Sequence, residues 1–142
     1  MKIKPEWEVN KEAEGIVEKL CDLYPEKIGH VSPDFIGCAQ IVNKDQPESQ
    51  DWNAKLVGVK EPVTLYCPKR YIVVFYRNKW EMLTAAQKSA LIMSKLLRIP
   101  EDPDGSMLTE DLKDIKCLVK TFGVDYLDSP TLPDMAAERV TF

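Results

Sequence analysis

Paired cysteines are missing from this chain. Cys21, Cys38, Cys67 and Cys117 are scattered through 142 residues with no C-x-x-C among them, which excludes a zinc ribbon and outlines no disulfide framework. They are expected as reduced, mostly buried thiols, the usual state of free cysteine. Histidine is scarcer still: His30 stands alone, has no partner at ligand spacing, and reads as a strand residue with an ordinary hydrogen bond. No apolar run approaches the roughly 20 residues that span a bilayer. The start MKIKPEWEVNKEAEG also lacks the apolar stretch of a secretory signal, so a cytoplasmic protein with no membrane partner is expected. Basic excess is absent too. With 19 Lys and Arg against 23 Asp and Glu, net −4, there is no broad cationic face to neutralise phosphates, which argues against nucleic acid as the main partner. No internal repeat or low-complexity tract is present.

What is present suits one compact domain, because 44% hydrophobic content in a chain of this length is enough for a single core. After Asn10, a side chain suited to an N-cap, the residues Ala13, Ile16, Val17, Leu20, Leu23 and Tyr24 recur at helical spacing until Pro25. Lys27 to Ser32, Phe35 to Val42 and Lys55 to Lys60 read as strands, rich in Val, Ile or Leu and bounded by Pro, Asp or Asn. The polar run NKDQPESQDWN between the second and third is a surface loop. Tyr71 to Tyr76 has no strongly polar member and reads as a central strand covered on both sides. Thr84-Ala85-Ala86-Gln87 forms a capping box that opens a helix ending at Ile99-Pro100. EDPDG is a turn, after which Thr109 caps a third helix with Leu112, Ile115, Leu118, Val119 and Phe122 on one stripe, closed by Gly123. Residues 124–142, with Pro130 and Pro133, wrap the domain, dock as a short helix or extend as a tail. The expected fold is α+β: a small mixed or antiparallel sheet with three main helices, those at about Ala85–Arg98 and Glu110–Phe122 on one face and the first over an adjoining part.

Within this order lies a specific string, PKRYIVVFYRNKWEMLTAAQKSALIMSKLLRIP followed by GSMLTEDLKDIKCLVKTFGVDYL. It resembles the phage metallopeptidase family, minimal zincin-like domains carried by phages and mobile elements. In that family an extended strand leads into a Trp-x-x-Leu-Thr-x-x-Gln phrase, the same helix presents H-E-L-x-H, and a further His-Asp phrase opens the next helix. The resemblance covers the last two thirds of the chain well and the first third by its order of elements, and it implies one zincin-like domain over 1–142. In such a site two histidines four residues apart ligate zinc from one helical face, the glutamate acts on the zinc-bound water, and the next helix supplies a third ligand.

Laid on this chain, H-E-L-x-H falls on Ser94, Lys95, Leu96, Leu97 and Arg98, and only the leucine matches. The histidine of the next helix falls on Glu110, while Asp111 and Asp114 keep the family's acidic positions and Ile115 replaces its phenylalanine. A serine hydroxyl is a weak ligand, arginine stays protonated, and an ammonium in place of the glutamate offers no base at neutral pH. No catalytic residue, metal or cofactor is therefore expected, the positions Ser94, Lys95, Arg98 and Glu110 being vestigial. Other readings of single residues are weaker. Ser94 and Lys95, as helix neighbours, point about 100° apart and make a poor nucleophile–base pair. Tyr71, Phe75, Tyr76 and Trp80 suit a core better than base stacking, for want of basic residues among them. Glu101, Asp102 and Asp104 depart from the spacing of a calcium loop.

Two function classes follow. One is a catalytically inactive accessory protein that binds a protein, inhibition of a host defence enzyme being one form. The other is an active metal-dependent peptidase or hydrolase with an atypical site, using residual carboxylates and another metal or Ser94 as nucleophile. For the binding class the surfaces to consider are the cleft at Ser94, Lys95, Arg98 and Glu110 and the apolar end at Val140 and Phe142. Lys95 and Arg98 opposite Glu110, Asp111 and Asp114 also suit an ion-paired crosslink in place of the metal, Arg98 with Glu110 first. Partly buried, such a pair is costly to break because one charge is stranded; on a solvated face it contributes under about 1 kcal/mol. Arg98→Ala should lower the melting temperature if the crosslink exists, and an unchanged melting temperature counts against it.

Overall fold

The computed structural model describes residues 4–43, 54–100 and 132–139. The expected third helix, with Glu110, Asp111 and Asp114, lies outside them, as do Cys117, Glu101, Asp102, Asp104, Val140 and Phe142. The described elements are strands β1 (Trp7–Val9), β2 (Ile36–Ile41), β3 (Lys55–Gly58) and β4 (Tyr71–Tyr76) and helices α1 (Lys11–Leu23), α2 (Pro25–Ile28), α3 (Arg77–Glu81) and α4 (Ala85–Leu96). The fold is α+β with a mixed sheet in the order β1-β2-β4-β3. β1 runs antiparallel to β2, β2 parallel to β4, and β3 antiparallel to β4.

Strand alternation divides this sheet into two unlike faces. Register places Ile36, Cys38 and Gln40 beside Tyr71, Val73 and Phe75, with Leu56 next to Val73. This face meets Ala13, Val17 and Leu20 of α1 and Ala90, Ile92, Met93 and Leu96 of α4 in one buried cluster. The opposite face is more open: Trp7 and Val9 at the β1 edge are exposed, and Ile72 and Val74 of β4 are half-buried. β4 is interior, as expected, but its cover is heavier on the helical side.

Asn10 ties α1 to the sheet. Its Oδ1 caps the helix by accepting from the Ala13 amide at 2.9 Å, and its Nδ2 donates to Gln40 Oε1 at 3.0 Å. Its own amide donates to the Cys38 carbonyl at 2.9 Å, and Gln40 Nε2 donates onward to Glu8 Oε1 at 2.7 Å. Two buried amide side chains are thus paired where unpaired they would each cost about 1–3 kcal/mol. The capping box on α4 is present in both directions, Thr84 Oγ1 accepting from the Gln87 amide and Gln87 Oε1 from the Thr84 amide.

Three expectations need correction. Lys27 to Ser32 is not a strand: Pro25 presets the first turn of α2, and Tyr24, Ile28 and Val31 are buried at helical spacing, with the Val31 amide donating to Ile28. β1 was not anticipated, because one exposed glutamate, Glu8, between Trp7 and Val9 leaves too short a pattern to mark a three-residue edge strand. α3 was not anticipated either; it is a five-residue turn that buries Trp80 and carries an Arg77–Glu81 ion pair at 3.9 Å on its exposed side. The α4 helix itself stops two residues short of Arg98.

Residues 132–139 dock on the helices, with Leu132, Met135 and Ala136 buried in the core. The Tyr24 hydroxyl donates to the Met135 carbonyl at 3.1 Å, Ser89 Oγ donates to Asp134 Oδ1 at 2.6 Å, and Arg139 pairs with Glu26. If this segment belongs to the cooperative fold, Met135→Ala should cost about 3 kcal/mol and Tyr24→Phe about 1 kcal/mol in urea unfolding. A Met135→Ala loss near zero would detach the segment from the core.

Candidate functional site

α4 carries Ser94, Lys95 and Leu96, three of the positions on which the resemblance lays its motif, and an α-helix turns about 100° per residue. Ser89 to Leu96 are nonetheless all buried, eight consecutive residues, so no side of that stretch faces water. The sheet, α1 and the segment 132–139 share in covering it. On the α1 side, Glu12 Oε1 accepts from Lys88 Nζ at 2.9 Å and from Trp80 Nε1 at 2.7 Å. Lys88 also stands 5.1 Å from the centre of the Trp80 ring, which stacks on Phe75 at 4.7 Å. The Lys88 hydrogen bond is the main reason why the Glu12 carboxyl is held below its ordinary range, with Trp80 adding to it. This α1–α3–α4 knot was not anticipated, since nothing in local spacing links Glu12 with residues so far along the chain.

The expected site residues now have environments. Ser94 is 5% exposed and donates its hydroxyl proton to the Leu91 carbonyl at 2.6 Å. Lys95 is 4% exposed, and burial first and the Arg98 guanidinium second pull it down to about 8. Arg98 is half-buried and stands past the helix, where the closing bonds run from Arg98 to Lys95 and from Ile99 to Leu96. Ser94 and Lys95 therefore sit inside the fold. The counter-charges Glu110, Asp111 and Asp114 lie outside the described residues, so the interhelical ion pair stays a proposal.

His30 is placed differently from expectation. It follows α2 in a turn, not a strand, and its Nε2–H donates to the Ile99 carbonyl at 2.8 Å, beside the end of α4. The expected ordinary hydrogen bond is there. Cys38 is buried and Cys21 and Cys67 are half-buried. Burial pushes the Cys21 thiol up to about 11 and that of Cys38 to about 12, far from thiolate chemistry at neutral pH. Phe75, Trp80 and Tyr76 pack the core, and Tyr71 lies against it.

These side chains do not fit the zinc centre that the motif positions would otherwise hold. A dication between Ser94 and Arg98 would meet an alcohol whose proton is already committed to the helix backbone and two cationic groups. Among the described residues, no three His, Cys, Asp or Glu side chains stand close enough together to hold a metal ion. No helix of the described residues is long and apolar enough to cross a membrane.

The described elements form a small α+β domain. The chain matches the family model described as "Putative phage metallopeptidase" over residues 5–129 and belongs to that family. No curated protein and no solved structure matches it. The docked segment 132–139 lies beyond the matched residues.

Lys95 gives the site a pH signature. The unfolded chain holds the lysine proton up to its ordinary value of 10.5, whereas the folded chain releases it near 8. Between those values the unfolded state binds more protons, so stability rises with pH. Relative to Lys95→Met, the wild-type chain should gain about 3 kcal/mol from below pH 8 to above pH 10.5. Urea titrations of both proteins across that range check it, and parallel curves would refute it.

Proposed function

We propose that this chain is a catalytically inactive member of the phage metallopeptidase family, a phage or mobile-element protein that acts by binding a protein partner in the cytoplasm. The observation that carries the reading is the buried Lys95 at the position of the family's glutamate. A base is needed there, and what stands there is an ammonium packed in the core beside a second cation, Arg98. Ser94, at the first ligand position, is turned onto Leu91. The framework around these positions is maintained all the same: the capping box, the buried face of α4 and the Glu12–Trp80–Lys88 knot depend on no metal. A scaffold kept in order after the chemistry has gone suits a surface that another protein reads, inhibition of a host defence enzyme being one form of that role. Fold descent alone names no partner.

Metal analysis and a cleavage assay test the reading. Wild-type protein, purified without chelator and reloaded with zinc, should carry substoichiometric zinc and cleave no member of a mixed peptide library. A Ser94→His, Lys95→Glu, Arg98→His, Glu110→His variant should take up zinc where the wild type does not. Stoichiometric zinc or zinc-dependent cleavage by the wild type would establish the other class, an active metal-dependent hydrolase with an atypical site.

A further inference from the structure

The connection between β3 and β4 exposes apolar side chains that the core does not use. Tyr66 is 91% exposed, Leu65 73% and Val63 57%. Phe35, also exposed, lies at the same end of the sheet, because its carbonyl accepts from the Arg70 amide at 2.8 Å where β2 and β4 begin. Four large apolar groups at one end of the sheet differ from the scattered exposed side chains of an ordinary surface.

The backbone here is ready to be covered. The amide of Thr64 donates to Lys60, that of Leu65 to Pro62, and those of Tyr66 and Cys67 to Val63, all within the turn. A partner that excludes water from this turn leaves none of these four donors orphaned, and the side chains are presented on a formed 3₁₀ turn at Val63–Leu65. Charge gives the second half of the argument. Residues 58–70 carry Lys60, Lys69 and Arg70 against Glu61 alone, in a chain whose net charge is −4. Asp34 beside Phe35 is the nearby anion, and Lys69 Nζ donates to its backbone carbonyl at 3.1 Å. An apolar patch edged by cations, on an otherwise acidic molecule, is complementary to a segment that combines carboxylates with apolar anchors.

We propose that the Lys60–Arg70 connection, with Phe35, is the docking surface for an acidic, apolar segment of a protein partner, Leu65 and Tyr66 being its anchors. This deepens the binding reading above and rests on it for the class of partner. A bilayer is the weaker occupant: three loop side chains give little insertion, stable anchoring needs two membrane signals, and the net negative chain is repelled by anionic lipid.

The test pans the full chain against a displayed library of random peptides, then titrates labelled consensus peptide by anisotropy. Enriched peptides should pair Asp or Glu with Leu, Phe or Trp. Leu65→Ser and Tyr66→Ser should each weaken binding about tenfold or more, and Lys60→Glu with Arg70→Glu should abolish its salt dependence. Circular dichroism should be unchanged in all four, since these side chains are exposed. No enrichment, peptides without acidic residues, or binding indifferent to Leu65→Ser and Tyr66→Ser would overturn the proposal. So would cosedimentation with phosphatidylcholine–phosphatidylglycerol vesicles that Tyr66→Ser removes. Zinc content is measured on the same preparation: stoichiometric zinc with intact peptide binding sinks inactivity and leaves the docking surface standing, and the reverse result does the opposite.

Discussion

The described structure is organised around a helix whose last two turns have no wet side. Eight successive residues of α4 are buried, so every polar group among them must be provided for within the protein. Ser89 and Ser94 turn their hydroxyls to Asp134 and to the Leu91 carbonyl. The apolar members fill the space between α1, the sheet and the docked segment 132–139. Such a helix is positioned by its surroundings as a whole, which is why its place in the fold does not depend on any one ligand side chain that it carries.

The parts of the fold with regular spacing were legible from sequence, and the parts made by meetings of distant residues were not. Asn10 with the apolar repeat of α1, the capping box of α4 and the apolar run of β4 each announce themselves over a few residues. α2 was misread because Ile28 and Val31 favour strands by type, while their spacing from Tyr24 and the preceding proline favour a helical turn. The site positions Ser94, Lys95 and Arg98 came from the family resemblance laid residue by residue on the chain. Their environments did not, because burial is set by elements far along the chain. The same holds for His30, whose neighbour Ile99 no local pattern points to.

A buried ammonium is the electrostatic opposite of what a zinc centre needs around it. A zinc site gathers neutral or anionic donors around a dication, whereas Lys95 and Arg98 bring positive charge to the same helix end, and burial first and the Arg98 guanidinium second weaken the hold of Lys95 on its proton. The family match spans residues 5–129, which take in the extended strand β4, the Trp80 turn after it and the capped helix α4. Membership speaks for the descent of the scaffold and does not by itself name an activity.

The parallel pairing of β2 with β4 has a consequence during synthesis. β3 lies between them in the chain but outside them in the sheet, so β2 leaves the ribosome well before its neighbour, and only β1 is there to pair with it. Until Tyr71–Tyr76 has emerged, the nascent chain presents one bare strand edge and an apolar face that α4 has yet to cover. A ribosome pause within that interval prolongs the time in which neighbouring polypeptides can add to that edge.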